Sequence, residues 1–290
     1  CSGDKLKLAI IRACNVSSWI GDESVLNLMR QVEPIQELPQ PITELIHMLQ
    51  DHEAKPHEVA SLIESDPQLS ECLMSLVRFI HASGDEKIVD VKAAAELLGV
   101  DQLRPLILAA FGYVKFGAGC VELEAEMKHS LRVAQAARTI ARFESDDSEL
   151  ADQAMMAGVM HRIGGLLVSQ HFPESYQAIR DAAELLSDRA DVERKVLSTS
   201  TAQIGGFVLC NWGLPTAVVE AVGFQDCPAD ATLKQFSPMI ALYLARHLID
   251  DMNGQTSEDQ LDLGVLNEFG VEPRINEWKA AINESLVAIG

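Results

Sequence analysis

Three stretches of the chain carry side chains able to do acid–base or ligand chemistry. The first is Lys128-His129-Ser130, the second Ala157-Gly158-Val159-Met160-His161-Arg162-Ile163-Gly164-Gly165-Leu166, and the third Ala202-Gln203-Ile204-Gly205 leading to Asn211-Trp212-Gly213-Leu214-Pro215. An imidazole titrates near neutral pH and serves as a proton carrier or a metal ligand, so His129 and His161 head the candidates. Arg162, next to His161, adds a guanidinium that grips phosphate or carboxylate through paired N–H groups. Other arrangements are missing: there is no Gly-x-Ser-x-Gly, no Walker loop and no Cys–His nucleophile pair. His47, His52 and His57 recur at intervals of five, which does not return to one helix face, so they read as surface or loop residues. The twin Ile-Gly-Gly runs at 163–165 and 204–206 lack the strand–turn–helix setting of a dinucleotide loop and read as places where two helices approach closely, one against the other. The run Ser198-Thr199-Ser200-Thr201 offers hydroxyls for modification, but helix capping is the simpler account.

The elements that must position these residues are helical. Asp66-Pro67 opens a helix with Leu69, Leu73, Leu76, Val77 and Ile80 on one face, Asp66 as N-cap and Pro67 at the first helical position. A short helix from Ala93 to Leu98 stops at Gly99, and Asp101 caps the next, with Leu103, Leu106, Ile107, Ala110, Phe111 and Val114 inward. After the break at Phe116-Gly117-Ala118-Gly119, a long helix is expected from about Glu122 to Phe143. The stretch Ala151–Ser169 is apolar all round and is expected to be one central helix. Ser200-x-x-Gln203 reads as a capping box, and Pro215 starts a further helix. Phe236, Ile240, Tyr243, Leu244 and Leu248 mark another, and Ile275, Trp278, Ile282, Leu286 and Ile289 the last. The one strand-like stretch is Leu6–Ile10; the prolines 34, 39 and 41 mark the start of the main domain, and no solenoid repeat is evident. The expected fold is therefore all-α.

Charge narrows the function classes. The 290 residues hold 43 acidic against 23 basic side chains, a net charge of −20, so a polyphosphate or an anionic membrane surface is disfavoured as a partner. No apolar run approaches the ~18–20 residues that span a bilayer. The six cysteines form no Cys-x-x-Cys; Cys72 and Cys210 read as small buried hydrophobes in helices, and a reducing cytoplasm suits this usage. The opening Cys1-Ser2-Gly3-Asp4 is compatible with a lipid-carrying Cys1, but is read as a chain trimmed at its front.

The segments "ELP–P", "ASLIESDPQLS", "AAELLGVDQLRPLIL", "KHSLRVAQAARTIA", "AGVMHRIGGLLVSQHFPESY" and "AQIGGFVLCNWGLPTAVVEAV" occur in this order between about Pro34 and Pro228. Together they resemble the HDOD family, the HD-related output domains of bacterial signalling proteins; the agreement of many separate motifs makes the resemblance specific. It implies an HD-domain-like multi-helix bundle of two packed helical halves. Residues 1–33 would be an N-terminal extension or linker, 34–230 the HDOD-like domain (halves 34–116 and 120–230), and 231–290 helices completing the bundle. A cleft between the halves, near His129, His161 and Arg162, would sense a small anion or dock a partner.

The resemblance also relates the fold to metal phosphohydrolases, in which a His, a His-Asp pair and a later Asp hold a divalent metal that activates water. His129 matches the first His and His161 the His of the pair. Arg162 stands in place of the paired Asp, and Arg246, in Leu244-Ala245-Arg246, in place of the later one. The positions of further histidines sometimes present in the family fall here near Thr201 and Phe224-Gln225. Hard divalent metals seek carboxylate oxygens. A guanidinium ~4 Å from a dication meets about 8 kcal/mol of repulsion at an effective dielectric of ~20. The expectation is a non-catalytic regulatory domain with no metal and no cofactor. His129, His161, Arg162 and Arg246 would be vestigial positions and a candidate anion pocket, or else hydrogen-bonded core histidines with Arg162 paired to an acid. By family analogy its partners would be a sensor kinase, a receiver or a cyclic-dinucleotide enzyme. The alternatives are a divergent metal-dependent phosphodiesterase that has recruited other ligands, and a small-molecule sensor.

Overall fold

The computed structural model describes residues 22–32, 42–45, 48, 55–80, 88–119, 122–183, 189–232, 234–254 and 261–287. Leu6–Ile10, Pro34, Pro39, Pro41, His47, His52, Ile289 and the cysteines at 1, 14 and 120 lie outside them. Within them the fold is all-α. The first helices are α1 (Glu23–Met29), α2 (Pro56–Glu64), α3 (Pro67–Ile80) and α4 (Val91–Phe116). Asp66 caps α3 through Oδ1, which accepts from the N–H groups of Gln68 and Leu69 at 3.0 and 3.1 Å. α4 contains the expected stop at Gly99, whose φ of 72° and ψ of 165° bend the chain between two helical stretches; only glycine adopts that backbone without strain.

The second part is built on α5 (Leu123–Glu144), followed by α6 (Ser148–Met160) and α7 (Ile163–His171). The single helix expected over 151–169 is thus two helices, broken at His161-Arg162. An apolar, buried stretch has no polar face to reveal a change of direction, so periodicity could not locate the break. α8 (Pro173–Ala183), α9 (Arg189–Leu197), α10 (Thr201–Asn211) and α11 (Thr216–Gly223) follow. Ser200 and Gln203 form the reciprocal capping box that starts α10. The chain ends with α12 (Pro238–Met252), α13 (Leu263–Glu268) and α14 (Ile275–Val287).

α5 is the central post. It packs against α6, α12, α14 and α3, and the buried apolar side chains from Val25 to Ile282 form one continuous core. Trp278 of α14 is fully buried and donates from Nε1 to Glu144 at the end of α5, at 2.9 Å. Trp212 at the end of α10 packs on Phe111 and Phe116 of α4, with ring centroids 5.3 and 6.0 Å apart. Cys72 is partly buried, and burial pushes its thiol up to about 11. Cys210, expected in the core, is exposed on α10, where a small residue is tolerated on either face.

The two Ile-Gly-Gly runs do meet. A Cβ on Gly164 would lie 2.0 Å from the Thr201 carbonyl oxygen and 2.6 Å from the Gly205 nitrogen, so α7 and α10 touch backbone to backbone. Gly158 of α6 meets Ala134 of α5 in the same way, its would-be Cβ 2.4 Å from the Ala134 Cα. Gly165, the next residue in the run, has nothing within 4 Å of a Cβ. Gly164→Ala is therefore expected to cost about 3 kcal/mol or more, since backbone cannot yield as a side chain does. Gly165→Ala should be neutral or stabilising by about 0.5–1 kcal/mol through helix propensity. Urea melts of the two variants check the contrast, and equal losses would contradict the packing described.

Candidate functional site

The break between α6 and α7 places the His161-Arg162 turn against α5. His161 ends α6, is 3% exposed, and its Nδ1 lies 2.6 Å from the Gly158 carbonyl oxygen. A carbonyl oxygen carries no hydrogen, so Nδ1 is the donor and Nε2 of the neutral ring keeps its lone pair. Nε2 has no hydrogen-bond partner among the described residues. His129, on α5, faces it with ring centroids 5.8 Å apart and lies 3.8 Å from Asp250 of α12 through Nε2. The close backbone approach at Gly158 and Ala134 brings these two imidazoles together from 32 residues apart in sequence.

Arg162 grips Glu126 of α5 with both arms of its fork, Nε to Oε2 at 2.7 Å and Nη2 to Oε1 at 2.8 Å. Arg246 of α12 donates from Nη1 to Asp226 at 2.7 Å and to the Gln225 carbonyl oxygen at 3.0 Å. Gln225 in turn donates from Nε2 to the His161 carbonyl oxygen at 2.9 Å, tying the segment after α11 to the turn. A third pair lies on α9: Arg189 donates to Glu193 at 3.0 Å, and the buried Glu193 carboxylate also accepts from the Thr201 N–H at 2.7 Å at the start of α10. All these residues except His129, Ala134, Gly158 and Asp250 line a cavity of about 80 Å³, together with Gly165, Leu166, Tyr176 and Ala190.

The cavity is lined by residues between Glu126 and Asp226, with Arg246 contributed by α12. None of its lining residues precedes Glu126, so the expected cleft between the two halves is not where His161 and Arg162 open. α4 packs on α6 and α7, and the Tyr113 hydroxyl reaches the Val159 carbonyl oxygen at 3.4 Å. That face of the turn region is filled by core.

All four residues singled out from the sequence therefore gather at one place. Sequence reasoning did not identify their acidic partners. Glu126 lies three residues before His129, a spacing that shares a helix face, and Asp226 follows Gln225 directly; those were the available signals. His57 is exposed on α2, with its ring 4.0 Å from Glu58 and away from the site.

The charges settle into pairs. Burial pushes the Glu126 carboxyl up, but the Arg162 guanidinium outweighs it and holds it below its ordinary value. Burial and then the Arg162 charge pull His129 down, against Asp250 and Glu126. Burial first, then Arg246 and Arg162, pull His161 well down. His247, on α12, is lowered by burial as well. The donor set does not suit a divalent cation. Guanidinium groups, each locked on a carboxylate, stand at the two positions that the resemblance assigns to metal carboxylates, and among the described residues no three His, Cys, Asp or Glu side chains converge to hold a metal.

Two outcomes follow from these charges. Arg162→Met strands Glu126, which is 19% exposed at its side chain, and should cost about 2 kcal/mol; adding Glu126→Gln should recover most of that loss. A denaturation double-mutant cycle with additive losses would show the pair to be uncoupled. For the histidines, folded values lie below the unfolded value of about 6.5. The unfolded chain thus takes up protons first as pH falls. Stability is full above about pH 6.5 and falls on acidification, by up to ~1.4 kcal/mol per pH unit for each such histidine. Urea melts between pH 7.5 and 5.5 should show this slope, and His129→Asn should flatten it.

The model of the HDOD domain matches residues 35–228. No curated protein matches the chain. Among solved structures, an HDOD domain protein of unknown function from Geobacter sulfurreducens superimposes with a TM-score of 0.72 at 18% identity, covering 92% of this chain and 94% of its own. A candidate phosphohydrolase from Shewanella amazonensis SB2B gives 0.70 at 19% identity, over 93% and 98% of the two chains. A candidate signal transduction protein from Marinobacter aquaeolei VT8 gives 0.62 at 21%, over 97% of this chain and 66% of its own. These likenesses show the same fold. With the all-helical bundle, the His129–His161 pair and a family match spanning about two thirds of its length, the chain belongs to the HDOD family.

Proposed function

We propose that this chain is a non-catalytic regulatory domain of bacterial signal transduction, acting through protein or small-ligand contact at a site descended from a metal phosphohydrolase centre. The observation that carries the reading is the bidentate Arg162–Glu126 pair at 2.7 and 2.8 Å. Water activation by a metal requires several fixed ligands and a net negative site. Here the lining guanidiniums of Arg162, Arg189 and Arg246 are matched one for one by Glu126, Glu193 and Asp226, which leaves no excess negative charge to attract a dication. The descriptions of the neighbouring structures point in two directions, phosphohydrolase and signal transduction. The charge pairing favours the second. Output would then pass through the bundle surface to a sensor kinase, a receiver or a cyclic-dinucleotide enzyme, as the family resemblance implies.

The reading is tested on the purified full chain by metal analysis for Fe, Mn, Ni and Mg and by phosphodiester hydrolysis with added Mn²⁺. The expected result is metal far below one equivalent and no turnover above the buffer blank. Stoichiometric metal, with turnover abolished by His161→Ala, would establish the phosphodiesterase instead.

A further inference from the structure

We draw no further inference here: the strongest candidate, the open groove of about 950 Å³ lined by Arg194 of α9, Cys227, and Tyr243 and His247 of α12, carries nothing because its one thiol and few carboxylates are no site by themselves and nothing in the structure shows what covers it.

Discussion

A guanidinium taken out of water demands a carboxylate, and the centre of this protein is organised around that demand. Arg162 sits where α6 ends and α7 begins, and its bidentate hold on Glu126 fixes the turn to the first turn of α5. The desolvation of both ions is repaid only while the fork geometry is kept, so turn and helix cannot slide past one another. The consequences spread outward. Burial first, and then the nearby Arg162 and Arg246 charges, pull the imidazoles of His129 and His161 below their ordinary values. A neutral His161 donates from Nδ1 to its own helix end and keeps an unshared pair on Nε2. The polarity of the cavity follows from where Arg162, Arg189 and Arg246 stand beside their carboxylates.

That placement is possible because the helices beneath it approach at backbone contact. Gly158 lies against Ala134, and Gly164 against Thr201 and Gly205, in each case closer than any side chain permits. The first contact fixes α6 to α5 at Ala134, further along the helix than Glu126 and His129. The second brings α10 onto α7 just beyond the turn, so that Thr201 can offer its N–H to Glu193. Small residues here determine which polar groups share a cavity, and Gly158 also accepts the His161 Nδ1 hydrogen bond through its carbonyl oxygen.

How much of this was legible in the sequence depends on the range of the interaction. Local devices could be read directly: the Asp66 cap, the Gly99 stop, the Ser200–Gln203 box and the amphipathic faces of α3, α5 and α14 all turn on neighbours within four residues. The positions of His129, His161, Arg162 and Arg246 were legible through the family resemblance. Their partners were not. Glu126 is 36 residues from Arg162, Asp226 is 20 from Arg246, and Asp250 was one of 43 acids with nothing to single it out. The break at His161 escaped notice because a helix buried on every side has no polar stripe whose drift would betray a change of axis. Cys210 was misplaced for a similar reason: thiols pack well inside but are small enough to stand outside.

On the proposed descent from a metal centre, the two arginines would reverse roles without emptying the site. A dication gathers carboxylates around itself and is held as a separate, exchangeable species. In this chain the cation is covalently part of the protein, as the guanidinium of Arg162, and Glu126 gathers to it. A metal-dependent centre loses stability as the free metal falls, by mass action. An internal ion pair such as Arg162–Glu126 carries no such dependence. Such a centre retains a fixed geometry and a small polar cavity beside it, lined by guanidinium–carboxylate pairs.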